Sequence, residues 1–198
     1  MATRLIVPHR GLEAAKTRLA TVLTAGERGD LAAHLLRRVL RVAGWAIDDI
    51  VVISPSAALG ELVEEAGAHL LVQRGMGLNE GLDQARAAAV AHGIETLVVL
   101  HGDLPELDVD DVEALVAAVP EPGGVAIAPD KTGSGTNGLA LRPPDAIGFH
   151  FGPGSRAAHE LAARDAGIAP VMVARPGLAF DLDTPEDLRG WLESGVMA

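Results

Sequence analysis

The chain has 198 residues, which is enough for one substantial hydrophobic core, and we expect one domain over residues 1–198. Hydrophobic residues make up 48% and charged residues 22%, which is typical of a globular protein, and no apolar run approaches the ~20 residues needed to span a membrane. The formal charge of −11 argues against nucleic-acid binding, which requires a basic face. The chain has no cysteine, which excludes disulfides and thiolate metal sites, and the first residues lack the pattern of a secretion signal. We therefore expect a cytoplasmic protein that binds neither nucleic acid nor membrane.

The first predicted elements are a strand over residues 3–7 and a basic loop that follows it. Residues 9–19 turn into a short helix and carry Arg10, Lys16 and Arg18 close to the strand end. This composition is typical of an anion-binding loop, although a solvated helix face whose basic side chains cover apolar surface has the same composition. The loop lacks the Walker pattern and the dinucleotide-binding fingerprint, so neither of those phosphate-binding folds is indicated.

The chain then alternates between helices and strands. The capping-box spacing of Thr24 and Glu27 predicts a helix to about Val42, and Trp45 is expected to lie in the core over the end of that helix. The other elements predicted before residue 74 are strands at 49–54 and 69–73 and a helix at 57–66. Repeated alternation indicates an α/β fold with a mostly parallel sheet and helices on both faces.

A glycine-rich segment, residues 74–82, precedes the next helix. Asn79 suits the N-cap of that helix because its side-chain oxygen can accept a hydrogen bond from a backbone N–H. Its amide can also read the edge of a nucleotide base, since it offers both a donor and an acceptor. Both interpretations stay open from the residues alone.

The strand predicted at residues 96–100 is the element around which we expect the site to be built. Gly102 and Pro105 break the apolar run, so Asp103 falls at the carboxyl end of the strand, where ligands bind in open α/β sheets. Aspartate is rarely buried without a partner, and no basic residue stands beside it in the sequence, which favours a metal or a ligand. A role in closing the turn fits the same residues.

The second half of the chain offers two further anion-binding candidates. Residues 130–138 are rich in glycine and hydroxyl side chains, which suits an anion site but also a flexible connection. Ser155 is the predicted N-cap of a helix whose first N–H groups would meet a phosphate or carboxylate. His150 and His159 lack metal-ligand spacing and are expected to be ordinary loop and helix residues. The elements predicted here are a helix from the cap at Asp108 to Val119, strands at 124–129 and 139–142, and a helix to Ala166.

Asp181 and Asp183 stand two residues apart in a segment that we expect to be extended, so both carboxylates should lie on one side of it. Two like charges on one face repel unless a cation lies between them. The helix start at Thr184 explains the acids that follow it but not this pair, which favours metal ligation. Together with Asp103, these acids suit Mg²⁺ beside the Lys16 loop, an arrangement that points to phosphoryl or nucleotidyl transfer.

Several motifs occur in a fixed order along nearly the whole chain. They are Ala15-Lys16-Thr17-Arg18-Leu19, Gly77-Leu78-Asn79, Gly102-Asp103-Leu104-Pro105, Ala128-Pro129-Asp130 with Gly135-Thr136-Asn137, Phe151-Gly152-Pro153-Gly154-Ser155 and Asp181-Leu182-Asp183-Thr184-Pro185. In this combination the sequence resembles the CofC/FbiD guanylyltransferases of coenzyme F-420 biosynthesis. One departure from the family is Arg10-Gly11, where members often have Lys-Pro. Arginine keeps the positive charge but presents a planar guanidinium in place of the compact ammonium of lysine, so the contact at this position differs.

The resemblance implies a nucleotidyltransferase of Rossmann type, like the nucleotide-diphospho-sugar transferases and the molybdenum-cofactor guanylyltransferases. It implies an Mg²⁺-dependent enzyme that couples GTP to phosphoenolpyruvate or 2-phospho-L-lactate and releases pyrophosphate. Carried over by position, the implied roles are metal binding by Asp103, Asp181 and Asp183, catalysis by Asp103 and Lys16, nucleotide binding by Arg10, Lys16, Arg18 and Asn79, and acid binding by Thr136 or Asn137, Gly152 and Ser155.

Two other functions fit the same pattern. One is a nucleotidyltransferase for molybdopterin or a sugar phosphate, and the other is a non-catalytic nucleotide-binding regulator. The three acids together with Lys16 argue against a regulator, because binding alone does not need a two-sided metal clamp. The residues leave open the choice between phosphoenolpyruvate and 2-phospho-L-lactate, and that between a monomer and a homodimer.

Overall fold

Runs of apolar and β-branched residues form a seven-stranded sheet in the computed structural model, which describes residues 2–195. The strands are β1 (Thr3–Pro8), β2 (Asp49–Ser54), β3 (His69–Val72), β4 (Thr96–Leu100), β5 (Gly124–Pro129), β6 (Thr136–Arg142) and β7 (Val171–Met172). Their order across the sheet is β3-β2-β1-β4-β6-β5-β7. Strand β6 runs antiparallel to both of its neighbours, and the other pairings are parallel. The predicted mostly parallel sheet is confirmed.

Capping boxes start several of the helices that connect the strands. The helices are α1 (Ala25–Ala43), α2 (Gly60–Glu65), α3 (Leu78–Ala91), α4 (Val109–Ala117), α5 (Ser155–Asp165), α6 (Pro176–Ala179) and α7 (Pro185–Glu193). The predicted caps at Thr24, Asp108 and Thr184 are all present, because each side chain accepts a backbone N–H at the first turn. Among residues 2–195, every helix is too short or too polar to cross a membrane.

The alternating side chains of β4 show how the helices cover both faces of the sheet. Val98 and Leu100 belong to a buried cluster with residues of α1, α2 and α4, whereas Leu97 and Val99 belong to a second cluster with residues of α3 and α5. Burial of each large aliphatic side chain stabilises the fold by about 1.5–3 kcal/mol. Helices on both faces, as predicted, therefore hold the central strand rigidly.

The structure corrects several local predictions. Trp45 is 78% exposed, and the prediction that it lies in the core is wrong. The chain turns after α1, and Ile47 takes the buried position instead. Asn79 and Ser155 are not N-caps. The N-caps are Gly77 and Gly154, and the helices start directly after them, at Leu78 and Ser155. A glycine suits the second of these caps, since its φ of 72° is left-handed.

The antiparallel direction of β6 decides what lies at the functional edge of the sheet. Strands β1, β2 and β4 are parallel, so their carboxyl ends meet at one edge. Strand β6 begins at Thr136, three residues before the predicted strand, and Leu100 at the end of β4 pairs with Gly138 near its start. The backbone N–H of His101 donates to the carbonyl of Asn137 at 3.0 Å. Thr136 and Asn137 are therefore strand residues at the same edge as Asp103.

Candidate active site

A cavity of about 840 Å³ lies at the carboxyl edge of the sheet. The loops after β1, β2, β3 and β4 form most of its wall, and its volume is that of a small-molecule site, roughly 300–1,000 Å³. The polar and charged side chains that line it are His9, Arg10, Lys16, Thr17, Arg18, Gln73, His101, Asp103 and Asp183. The cavity thus brings the basic loop together with two of the three predicted metal ligands.

Lys16 joins the two acids of the cavity. Its Nζ lies 2.6 Å from Oδ2 of Asp103 and 3.0 Å from Oδ1 of Asp183, and its side chain is 6% exposed. Arg18 makes a longer contact of 3.5 Å with the other oxygen of Asp183. The partner that the sequence left open for Asp103 is, in this structure, a lysine 87 residues earlier in the chain.

The backbone at Lys16 is strained. Its φ of 52° is left-handed, and within residues 2–195 it is the one residue other than glycine with positive φ. This conformation costs a lysine about 1–2 kcal/mol. The two ion pairs hold the side chain in place, so the strain is retained where the chain needs the ammonium group in a fixed position.

The charges of the cavity shift each other's pKa values. Burial alone would lower the pKa of Lys16, but the attraction of Asp103 and Asp183 outweighs it, and the pKa is raised. Burial acts in the opposite sense on Asp103, yet Lys16, with smaller contributions from His101 and His9, holds its pKa below the ordinary value. Both groups are therefore charged at neutral pH. Oδ1 of Asp103 is buried and accepts no hydrogen bond.

Two histidines beside this ion pair carried no recognised signal in the sequence. Burial, reinforced by the charge of Lys16 and opposed by Asp103, lowers the pKa of His9 to about 4. The ring is therefore neutral at pH 7, and its Nδ1 accepts from the backbone N–H of Gly11 at 3.0 Å. His101 also lines the cavity, and its Nε2 is buried without a hydrogen-bond partner. The feature that could have identified them is their position directly after β1 and β4.

Asp181 lies beside this cavity and has different partners from Asp183. Its Oδ1 is 3.4 Å from Nδ2 of Asn137 and 4.0 Å from Nζ of Lys131. Lys131 also donates to the carbonyl oxygen of Asp181 at 2.7 Å and pairs with Asp187 at 2.6 Å, which fixes the segment. Burial raises the pKa of Asp181, and the negative charges of Asp103 and Asp183 raise it further against the opposing effect of Lys131. Asp181 is therefore close enough to Asp103 and Asp183 to be repelled by both.

The three acids suit a divalent cation in their chemistry. Within residues 2–195, no three acidic, histidine or cysteine side chains are arranged as a preformed metal site, and Lys16 lies between Asp103 and Asp183. A hard cation such as Mg²⁺ takes carboxylate oxygens. The partnerless oxygen of Asp103 offers one such ligand, and a cation would offset the burial and the smaller repulsion that together raise the pKa of Asp181.

The residues predicted to bind an acid substrate lie beside the cavity and do not line it. Thr136, Asn137 and Ser155 are buried, with 2%, 3% and 2% of their surface exposed. Nδ2 of Asn137 donates to the carbonyl oxygens of Leu178 and Ala179, both at 3.0 Å, so its amide nitrogen anchors the segment that leads to Asp181. Gly152 is exposed, with φ of 137°.

The loop after β3 forms one end of the cavity. Gly75, Met76, Gly77 and Leu78 line it. Gln73, which the sequence analysis did not single out, holds the loop because its Nε2 donates to the carbonyl oxygens of Gly75 and Gly77, both at 2.8 Å. The loop is therefore fixed before any ligand binds.

Asn79 follows this loop but is not part of the cavity wall. Its Nδ2 donates to the carbonyl oxygen of Phe151 at 3.1 Å, and its Oδ1 accepts from the N–H of Phe151 at 2.9 Å. Both functional groups of the amide are thus used by the backbone beside Gly152. The side chain fastens the loop before α5 to the start of α3.

Solved structures share this architecture. A nucleotide-diphospho-sugar transferase from Desulfovibrio desulfuricans G20 superposes with a TM-score of 0.80 at 20% identity, covering 98% of this chain and 88% of that chain. A cytidylyltransferase from Leptospira borgpetersenii gives a TM-score of 0.64 at 14% identity, covering 95% and 84%. At such identities the likeness shows the fold, which is that of the nucleotide-diphospho-sugar transferases.

Sequence comparison is more specific. A phosphoenolpyruvate guanylyltransferase from Sphaerobacter thermophilus is 45% identical over 95% of this chain and 91% of its own length. One from Rubrobacter xylanophilus is 41% identical over 98% and 96%. A 3-phospho-D-glycerate guanylyltransferase from Colwellia psychrerythraea is 27% identical over 95% and 90%. The family model described as guanylyl transferase CofC like matches residues 3–195. The chain therefore belongs to the CofC guanylyltransferase family.

Proposed function

We propose that this protein is a guanylyltransferase that transfers GMP from GTP to the phosphate of phosphoenolpyruvate and releases pyrophosphate. The observation that carries the proposal is the meeting of Arg10, Lys16 and Arg18 with Asp103 and Asp183 around one cavity at the carboxyl edge of the sheet. The relatives at 41–45% identity, which bear the name phosphoenolpyruvate guanylyltransferase, support this acceptor. The family resemblance further leads us to propose a place in coenzyme F-420 biosynthesis.

In this proposal the triphosphate of GTP lies against the basic loop. Arg10, Lys16 and Arg18 line the cavity and carry the positive charge that a polyphosphate needs. The guanine then lies at the other end, against residues 75–78, where Gln73 has already fixed the backbone. A loop ordered before binding loses less entropy when the base arrives, which favours affinity.

Asp103, Asp181 and Asp183 are the residues that would hold Mg²⁺. When bound, the ion would neutralise negative charge on the phosphates of both substrates. In the structure Lys16 pairs with two of these acids, so the ammonium group is held at the point where negative charge accumulates. Because its pKa is raised, Lys16 keeps its positive charge and would add to the attraction for the phosphates of GTP.

The proposed reaction needs no covalent enzyme intermediate. An oxygen of the acceptor's phosphate attacks the α-phosphorus of GTP, the new P–O bond forms, and the bond to the β-phosphate breaks with its electron pair leaving on pyrophosphate. A phosphate dianion is already a nucleophile near neutral pH, so no general base is required. The side chains contribute position and electrostatic stabilisation, as in other phosphoryl transfers.

The acceptor's carboxylate is proposed to bind on the other side of Asp103, near Thr136, Asn137, Gly152 and Ser155. Thr136 and Asn137 lie at the start of β6 on the functional edge, and Ser155 is the first residue of α5. The backbone N–H groups of Ser155 and Arg156 already donate to the carbonyl oxygens of Gly152 and Ser134, so it is the positive end of the helix dipole that favours an anion at this position. The acceptor would thus approach Asp103 and Asp181 from the side opposite the triphosphate.

Pyrophosphate release measured with each nucleotide and each acceptor tests the proposal. GTP, ATP, CTP and UTP are each offered with Mg²⁺ and with phosphoenolpyruvate, 2-phospho-L-lactate or 3-phospho-D-glycerate. We expect the highest kcat/KM with GTP and phosphoenolpyruvate. A preference for another nucleotide or acceptor would contradict the proposed substrates, and GTP binding without pyrophosphate release from any acid would indicate a regulator.

A further inference from the structure

His159 of α5 is completely buried and connects two segments of the proposed acid-binding region. Its Nδ1 lies 3.1 Å from the hydroxyl oxygen of Thr136, at the start of β6. Its Nε2 accepts from the backbone N–H of His150 at 3.0 Å, in the loop that leads to Gly152. The ring of Phe151 packs edge-on against the imidazole with 4.8 Å between ring centroids.

The hydrogen bond from His150 determines which ring nitrogen carries the proton. A backbone N–H can only donate, so Nε2 of His159 must be the acceptor and cannot be protonated. Burial, with a smaller effect from His150, lowers the pKa of His159 to about 4, which agrees with a neutral ring. A neutral imidazole with a bare Nε2 carries its proton on Nδ1.

The same argument then fixes the direction of the next hydrogen bond. Nδ1–H of His159 donates to Oγ1 of Thr136, which uses an acceptor site of the hydroxyl. The proton of that hydroxyl is left to point elsewhere. A hydroxyl polarised in this way is a better donor to an anion, because successive hydrogen bonds strengthen one another.

We propose that His159 is a positioning residue for the acid substrate, which fixes Thr136 as a donor to the carboxylate and holds the loop before α5 at the matching position. The inference rests on the proposed function, because it assigns the carboxylate of the phosphorylated acid to Thr136. His159 does not touch the substrate, since Thr136 and the loop lie between them. One imidazole thereby couples the start of β6 to the segment that carries Gly152 and Ser155.

Two amide variants separate the two hydrogen bonds of the ring. His159→Asn places an amide group at the level of Nδ1 and keeps a donor for Thr136, whereas His159→Gln reaches the level of Nε2 and keeps only an acceptor for His150. We expect His159→Gln to raise the KM for phosphoenolpyruvate about tenfold, since a hydrogen bond to a charged group is lost, and to change the KM for GTP less than twofold. His159→Asn should change the KM for the acid less than threefold, because the donor to Thr136 is kept and Asn79 still holds Phe151 of the same loop through two hydrogen bonds.

The Thr136→Val background provides the control for a purely structural effect. If His159 acts through the hydroxyl, His159→Gln adds no further increase in the KM for the acid once the hydroxyl is gone. A full additional increase there, equal effects of the two amides, or an equal rise in the KM for GTP would each overturn the inference. Thermal unfolding of every variant identifies any that fail to fold.

Nitrogen NMR of the labelled wild-type protein tests the ring directly and does not depend on turnover. We expect Nδ1 of His159 to be protonated and Nε2 to be unprotonated at pH 7. A proton on Nε2, or on both nitrogens, would overturn the inference even if the enzyme is fully active. A wild-type protein with the expected ring but no pyrophosphate release would contradict the proposed function instead.

Discussion

Replacing Lys16 by methionine tests whether its ion pairs with Asp103 and Asp183 stabilise the folded protein. The substitution keeps most of the length and apolar stem of the side chain and removes the ammonium group. Asp103 then loses its contact of 2.6 Å and Asp183 its contact of 3.0 Å. The carboxylate of Asp103, whose Oδ1 is buried without a hydrogen-bond partner, thereby loses its largest electrostatic stabilisation.

The expected loss follows from the burial of the three groups. Removing one partner of a buried ion pair costs about 3–5 kcal/mol. The side chains of Asp103 and Asp183 are 27% and 36% exposed, so water replaces part of the lost interaction. We therefore expect the free energy of unfolding to fall by about 2 kcal/mol at pH 7. Turnover should fall at least a hundredfold, since the charge that faces the phosphates is gone.

The pH dependence of this loss has a definite sign. In the wild type the pKa of Asp103 lies below its ordinary value of 3.8, so the ion pair contributes fully above that pH and is lost only in stronger acid. Without Lys16, burial raises the pKa of Asp103. As the pH falls, protonation removes the cost of the unpaired carboxylate, and the variant regains part of its stability. The difference in unfolding free energy between the two proteins should therefore shrink from pH 7 to pH 4.

Urea unfolding at both pH values measures this difference, and pyrophosphate release measures turnover. Arg37→Met is the matched control, because Arg37 contacts Glu65 at 3.9 Å on the exposed surface, and its loss should cost less than about 0.5 kcal/mol with no change in turnover. In an Asp103→Asn background, Lys16→Met should cost clearly less than in the wild type. Equal costs in both backgrounds, or a Lys16→Met variant as stable as the wild type at pH 7, would refute the reasoning.

Three further outcomes are expected. Asp103→Asn lowers turnover at least a hundredfold in the pyrophosphate assay with an unchanged circular dichroism spectrum, since the charge at the centre of the site is lost. Asn79→Ala lowers the free energy of unfolding in urea by about 1–3 kcal/mol, because the backbone of Phe151 loses both partners. Acidification from pH 6.5 to about 4 lowers the free energy of unfolding by up to about 3 kcal/mol through His159. Its pKa of about 4 in the folded protein is below the ordinary 6.5, so the unfolded chain binds the proton first. His159→Phe should remove this part of the pH dependence of stability.

Each of these has a result that contradicts it. Near-normal turnover of Asp103→Asn at saturating Mg²⁺ would remove this residue from the centre of the reaction. Unchanged stability of Asn79→Ala together with a raised KM for GTP would place its amide on the guanine instead of on Phe151. A stability profile that keeps its acid slope in His159→Phe would assign the slope to other groups, of which His9 has the same low pKa.

Local sequence patterns were sufficient for much of the fold. The apolar run that forms β4 predicts a buried strand, and Gly102 and Pro105 place Asp103 at its end. The caps at Thr24 and Thr184 depend on contacts within three residues, which is why they could be read directly. The prediction for Trp45 was wrong because a large apolar side chain favours burial, whereas the turn after α1 exposes this one.

The contacts that build the site are long-range, and local patterns do not contain them. Lys16 and Asp103 are 87 residues apart, and Asn79 and Phe151 are 72 residues apart. Thr136 lies at the functional edge because β6 runs antiparallel to its neighbours. Hydrophobic periodicity predicts a strand but not its direction in the sheet. His159 looked like an ordinary helix residue because its burial depends on packing between α5 and the sheet. The Mg²⁺ site and the roles of the substrate-binding residues stay predictions.

Mass spectrometry of a reaction containing the purified protein, GTP, Mg²⁺ and phosphoenolpyruvate tests the central claim most directly. The account predicts a product with the combined mass of a GMP moiety and phosphoenolpyruvate, formed in equal amount with pyrophosphate and absent when either substrate or the protein is omitted. Hydrolysis of GTP without that adduct, or an adduct formed equally well from the other nucleotides, would contradict it.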